Sequence, residues 1–135
     1  MLAALKAAAS GSEPYSSTDD VLTARVWRAL VVCRLAQLGL PISKAGTTCC
    51  LRAANVRPVL DLPEDYAGNA TTDVCTELPA KELLGARVGA VAGKLRSDLL
   101  ATRTSEKVQR RGAFFRGDDS SLRKNGCRQY SECSA

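Results

Sequence analysis

Proton-transfer chemistry at neutral pH has few candidates in this sequence, because its 135 residues include no histidine. Ser–His, Cys–His and Cys–His–Asp nucleophilic arrangements cannot form within the chain itself. The acidic residues that lie side by side, Asp19-Asp20, Glu64-Asp65 and Asp118-Asp119, fall at a helix cap or in turns. That placement suits solvated faces better than an opposed acid and base. Six cysteines stand at 33, 49, 50, 75, 127 and 133. They form no C-x-x-C pair, and without histidine a zinc site would need four sulfurs at spacings the chain does not offer, so no metal site is expected. No phosphate-binding G-x-x-x-x-G-K-[ST] loop and no G-x-G-x-x-G fingerprint is present. No catalytic residue is therefore assigned. Arg57, directly before Pro58, reads by itself as an exposed or ion-paired arginine, and Tyr66-Ala67-Gly68-Asn69 reads by itself as a turn. In that turn glycine permits a tight bend, and asparagine can satisfy buried backbone groups.

The elements that would position these residues follow from periodicity and caps. Residues 2–9 are strong helix formers, ended by Gly11 and Pro14. Ser17 or Thr18 is a natural N-cap, with Asp19 and Asp20 in the first turn, where the helix dipole favours negative charge. Leu22, Val26, Ala29, Leu30 and Cys33 then recur at helical spacing, and Gly39 and Pro41 supply the stop, which predicts a helix over 18–38 with that stripe turned inward. Trp27, the single tryptophan, is expected in the core. Residues 47–57 lack a helical stripe and read as one strand closed by Pro58, leading into an extended loop punctuated by Pro63, Gly68 and Asn69. Pro79 suits a first helical position, and Leu84, Val88, Val91, Leu95 and Leu99 form a second stripe, predicting one helix over 79–101. Gly85, Gly89 and Gly93 weaken that helix but allow a close neighbour. The expected fold class is mixed α/β, two main helices around a strand.

Composition limits the classes. A hydrophobic share of 45% is a normal globular value, while aromatics at 4% leave a core made mostly of Ala, Leu and Val. The net charge of +5 comes from a late basic run, Arg103, Lys107, Arg110, Arg111, Arg116, Arg123, Lys124 and Arg128. Without a nucleic-acid motif or an aromatic platform, this run reads as a solvated tail over 109–135, not as a specific nucleic-acid surface. No stretch approaches the roughly 20 apolar residues of a membrane span. The N-terminus lacks a basic region before its apolar stretch and makes a poor signal peptide. With the cysteines read as reduced thiols, the expected location is the cytoplasm.

Three motifs in order carry a family resemblance. Ser17-Thr18-Asp19-Asp20-Val21-Leu22-Thr23-Ala24 with Trp27-Arg28, then Asn55-Val56-Arg57-Pro58, then Leu62-Pro63-Glu64-Asp65-Tyr66-Ala67-Gly68-Asn69-Ala70, resemble the second half of BAHD-type acyl-CoA-dependent acyltransferases of the fungal, trichothecene-acetyltransferase-like branch. Members read S-T-x-D-A-L-x-A-x-x-W-R, V-D-x-R-x-R-L and L-P-x-x-Y-x-G-N-A. The resemblance covers about residues 2–108 and implies part of a chloramphenicol-acetyltransferase-like domain, roughly a quarter of a complete enzyme. It implies that Arg57, Tyr66, Gly68 and Asn69 border the acyl-transfer crevice. It also implies acyl-CoA as co-substrate, with no tightly bound cofactor, and a small-molecule alcohol or amine as acceptor. The family's base is the histidine of H-x-x-x-D, and its D-F-G-W-G element buttresses the second domain. Both are absent here, and Asn55 replaces the acid of V-D-x-R. The tail looks foreign to the family.

Two functional readings follow. One is a partial acyltransferase, inactive alone and completed by a separately encoded N-terminal half. The other is a non-catalytic basic interaction protein that retains a remnant of the fold.

Overall fold

In the computed structural model, residues 17–104, with Glu106 and Val108, are described. The helix read at 2–9 and the tail read at 109–135 lie outside them. Helix α1 runs Thr18–Leu38, with the ends its caps dictate. Ser17 is its N-cap, and Asp20 reaches back to form a capping box: the Asp20 amide donates to Ser17 Oγ at 3.3 Å, while Ser17 N and Oγ donate to Asp20 Oδ2 at 2.8 Å. At the other end Gly39 adopts the left-handed conformation (φ 61°), and the amides of Gly39 and Leu40 return to Ala36 O and Leu35 O.

The buried face of α1 is not the predicted one. Asp20, Val21, Ala24 and Trp27 are buried and Val31 packs beside them, whereas Leu22, Val26 and Leu30 are 41%, 56% and 63% exposed. Asp20 decides the orientation. Its carboxylate is fully buried and accepts from Arg96 Nε at 2.8 Å and Nη2 at 2.7 Å. Trp27 lies on the same face and donates its indole N–H to Thr48 Oγ1 at 3.1 Å.

A 3-10 turn at Ile42–Lys44 leads into strand β1, Thr47–Asn55. Its partner β2, Thr71–Pro79, was read from sequence as loop. Ala80 N donates to Gly46 O at one end of the ribbon and Val56 N to Ala70 O at the other, so the two strands run antiparallel. On β2 the residues Thr72, Val74, Thr76 and Leu78 are buried, and their sequence neighbours are half-buried or exposed. That two-residue alternation was the available signal. Strand β1 ends at Asn55, two residues earlier than expected. Val56 turns out of the extended region (φ −110°, ψ 5°), and Arg57 begins a 3-10 turn, Arg57–Val59, instead of closing the strand.

The helix predicted over 79–101 is two helices, α2 at Ala80–Gly85 and α3 at Val88–Thr102. Pro79 closes β2 and sits at the N-cap of α2. The break falls at Ala86, which is extended (φ −71°, ψ 156°). Arg28 explains how it is held: one guanidinium donates to Leu84 O and Ala86 O, both at 2.8 Å, satisfying carbonyls that a helix end leaves open. Within α3 the predicted stripe does face inward at Val91 and Leu95, and Gly89, Ala92 and Gly93 are buried with it.

The described residues divide into two compact units, residues 17–50 with Thr76–Asp98, and Leu51–Cys75 with the described residues of 99–108. The first unit holds the main core: Val21, Ala24, Trp27, Leu78, Leu83, Val91, Ala92 and Leu95, with Val31, Cys50, Ala86 and Val88 packed against it. The core is small-residue-rich, as the composition requires, and Trp27 is its one large aromatic.

Two buried polar groups in this unit should respond oppositely to substitution. Asp20→Ala leaves the Arg96 guanidinium without its carboxylate and removes the N-cap partner. The expected loss is about 3–5 kcal/mol, read from the urea unfolding midpoint. Thr76 is 1% exposed and its Oγ1 has no hydrogen-bond partner. Thr76→Val keeps the shape and removes that unpaired hydroxyl, so stability should hold or rise by up to about 1 kcal/mol. A clear loss in Thr76→Val would show that the hydroxyl is satisfied in solution.

Candidate functional site

The residues singled out by motif fall in one loop of the second unit, between β1 and β2. Its base is closed by Val56 N donating to Ala70 O at 2.9 Å, with both residues buried. The first turn is shaped by Asn55, whose Oδ1 accepts from Arg57 N at 3.0 Å, and by Pro58 inside the 3-10 turn. Asn55 stands where the family carries an acid and acts here as a local backbone acceptor. Leu60 and Leu62 amides return to Arg57 O at 3.2 Å, and between them Asp61 takes φ 50°, a left-handed position that aspartate tolerates better than most residues.

Arg57 ties the two halves of the loop together. Its Nη2 donates to Gly68 O at 2.9 Å, eleven residues on. At Gly68 itself the Tyr66 ring fills the side-chain space: a Cβ there would lie 2.5 Å from Tyr66 Cζ and Oη. The spacing Y-x-G thus has a steric reason in this chain, because the glycine leaves room for the tyrosine ring to fold back over it. Tyr66 N also donates to Pro63 O at 3.1 Å, fixing the bend before it. Arg57, Tyr66 and Gly68 are therefore brought together. Asn69 takes a different role from the one expected of the bend: it is exposed, and its Oδ1 accepts from the Thr71 hydroxyl at 2.9 Å.

This arrangement contains a guanidinium, a phenol and backbone carbonyls, and no nucleophile set against a base. Arg57 is engaged with the loop's own backbone, so its part is to hold shape. Sequence reasoning gave no structural part to Arg28 or Arg96, the two arginines that fix helix ends in the first unit. The adjacency of Trp27 and Arg28 in the first motif was the only hint for the former.

Residues 2–117 match the sequence profile described as the Transferase family, and the chain belongs to that family of acyltransferases. An O-acetyltransferase of Aspergillus niger, epaC, is 29% identical over 102 residues, which cover 76% of this chain and 22% of that protein. The O-acetyltransferase dmxR13 of a Cryptosporiopsis species is 38% identical over 88 residues, 63% of this chain and 18% of that one. The crystal structure of TRI101 from Fusarium sporotrichioides, complexed with coenzyme A and T-2, superposes with a TM-score of 0.68 at 29% identity, covering 80% of this chain and 25% of the other. The chain thus spans about a fifth of the curated relatives' length and a quarter of that solved chain.

The loop geometry predicts unequal effects at neighbouring positions. Arg57→Met should free the Gly68 carbonyl and cost about 1–2 kcal/mol, with faster amide exchange over residues 66–70. Gly68→Ala should displace the Tyr66 ring, which is 41% exposed and able to swing away. Its expected cost is below about 1 kcal/mol, with a changed Tyr66 ring environment by NMR. Equal costs for the two variants would show that the Arg57–Gly68 link carries no special weight.

Proposed function

We propose that this chain forms part of an acyltransferase that moves an acyl group from acyl-CoA to the hydroxyl or amine of a small molecule, and that it is inactive by itself. The observation that carries the reading is the superposition on an acetyltransferase complexed with coenzyme A. The named acetyltransferase relatives and the family match support it. In this reading the loop of Arg57, Tyr66, Gly68 and Asn69 borders the acyl-transfer crevice.

The chemistry divides accordingly. The acceptor must lose a proton as its oxygen or nitrogen attacks the thioester carbonyl, and a base positioned for that step contributes about 10²–10⁴-fold. The base must lie within hydrogen-bond reach, and with no histidine in the chain it comes from polypeptide beyond these residues. What this chain supplies is shape: the Arg57–Gly68 bond and the Tyr66 ring hold a bent loop of fixed outline. The proposal includes a cytoplasmic location, which is supported by reading the cysteines as reduced thiols. No observation favours a basic interaction protein over this reading.

Purified chain incubated with acetyl-CoA and a panel of alcohols and amines should release no more free CoA than a heat-inactivated control. Turnover that vanishes on substituting Tyr66 or another residue of this chain would show that it catalyses alone.

A further inference from the structure

Strands β1 and β2 bring together three side chains whose chemistry the candidate loop does not use. Gly46 pairs with Ala80 and Val56 with Ala70, and equal lengths of chain separate the two pairs, so the ladder between them carries no bulge. Counting inward in that register sets Cys49 opposite Glu77 and Leu51 opposite Cys75. Both are non-hydrogen-bonded pairs, the kind in which side chains stand closest. Cys75 and Glu77, two apart on β2, share one face of the ribbon with Cys49, and Thr76 between them is buried on the other. The result is a compact donor set: Cys49 Sγ, Cys75 Sγ and a Glu77 carboxylate oxygen all lie within 4.8 Å of one another. Both thiols are half-buried and neither is in a disulfide, while Glu77 is exposed.

We propose that Cys49, Cys75 and Glu77 bind one divalent zinc ion, with water as the fourth ligand. The proposal goes beyond the acyltransferase reading, which calls for no metal, and does not depend on it. A tetrahedral ion with bonds of about 2.3 Å to sulfur and about 2.1 Å to oxygen holds its donors roughly 3.6–3.8 Å apart. Closing from the outer limit of 4.8 Å to that separation is within the reach of side-chain rotation, with the strands left in place. The donor set also selects the ion. Two sulfurs disfavour magnesium and calcium, which take oxygen ligands, and the mixture of thiolate and carboxylate suits the borderline-soft zinc ion. On binding, each thiol gives its proton to solvent as its sulfur bonds to zinc, so two protons leave per ion and no oxidant takes part. Spacing along the chain speaks against a metal, because it shows no C-x-x-C pair; strand register supplies the nearness instead. Zinc held there joins the strands on either side of the Arg57–Gly68 loop, adding a cross-link to the backbone ladder.

The test titrates the full chain, reduced and stripped of metal, with Co²⁺ as a spectroscopic probe and then with Zn²⁺. One Co²⁺ per chain should bind with a sulfur-to-cobalt charge-transfer band, and Zn²⁺ should displace it. Zn²⁺ should also slow maleimide labelling of Cys49 and Cys75, read by peptide mass spectrometry, about tenfold or more. Labelling of Cys33, which is exposed on α1, should not change and serves as the internal reference. Cys75→Ser should remove the band. Glu77→Gln, at an exposed position, should weaken binding about tenfold or more and leave the circular dichroism of the chain unchanged. Cys127→Ser with Cys133→Ser should bind as the parent chain does. Labelling of Cys49 and Cys75 that zinc does not slow overturns the proposal, and that result depends on no variant folding. So does a band that persists in Cys75→Ser, a band lost with Cys127 and Cys133, or an affinity that Glu77→Gln leaves intact. Cys49 found joined to Cys75 through a disulfide in the reduced preparation also overturns it, because the pair is then a redox link and not a metal site.

Discussion

The first unit depends on one buried carboxylate. Asp20 has no solvent exposure, and it accepts from Ser17 N, Ser17 Oγ, Arg96 Nε and Arg96 Nη2. A charge taken out of water costs several kcal/mol by itself, and only a full set of donors repays that. Asp20 must therefore stay where Ser17 and Arg96 both reach it, which sets the rotation of α1 about its axis and its distance from α3. Once α1 is turned that way, Val21, Ala24 and Trp27 have to meet Val91, Ala92 and Leu95. The indole must also find a polar partner, and Thr48 provides it. One ion pair thus selects which of two apolar faces goes inside.

That selection explains why the ends of α1 were legible in the sequence and its orientation was not. Caps are local: Ser17, Asp20 and Gly39 act through their own backbone neighbourhood, so residue type and spacing suffice. Orientation is not local. The stripe of Leu22, Val26 and Leu30 is the more hydrophobic of the two faces, and periodicity alone prefers it. The opposite face wins through Asp20 and Arg96, 76 residues apart. The break between α2 and α3 has the same character. No proline marks it, and the Arg28 clamp on Leu84 and Ala86 that accompanies it reaches across more than fifty residues. Strand β2 was missed for a different reason. Its alternation was present, but Thr, Asp and Glu diluted it, and the punctuated loop before it suggested that irregular structure continued to Pro79.

The loop shows the same division between what spacing reveals and what contacts add. Tyr66-Ala67-Gly68-Asn69 was readable as a bend, and the family resemblance grouped it with Arg57. The reason for the spacing is contact-level: the tyrosine ring occupies the place of a glycine Cβ, and Arg57 reaches back to the Gly68 carbonyl. Asn69 behaves otherwise than bend chemistry suggested, because the nearby Thr71 hydroxyl offers it a donor.

These features bear on how the chain could take part in group transfer. A side chain already committed to the backbone is a poor clamp for substrate, since recruiting it first breaks a bond worth keeping. Arg57 and Arg28 are in that position, and Arg96 is likewise committed, to the buried Asp20 carboxylate. By contrast, Arg25 and Arg34 have no ion-pair partner among the described residues, and they flank an apolar stripe rather than the loop. Arg28, Arg57 and Arg96 maintain internal geometry, and Arg25 and Arg34 are exposed on the outer side of α1. In Arg28, Arg57 and Arg96 the guanidinium thus serves the fold itself, joining segments that lie from 11 to 76 residues apart in the sequence.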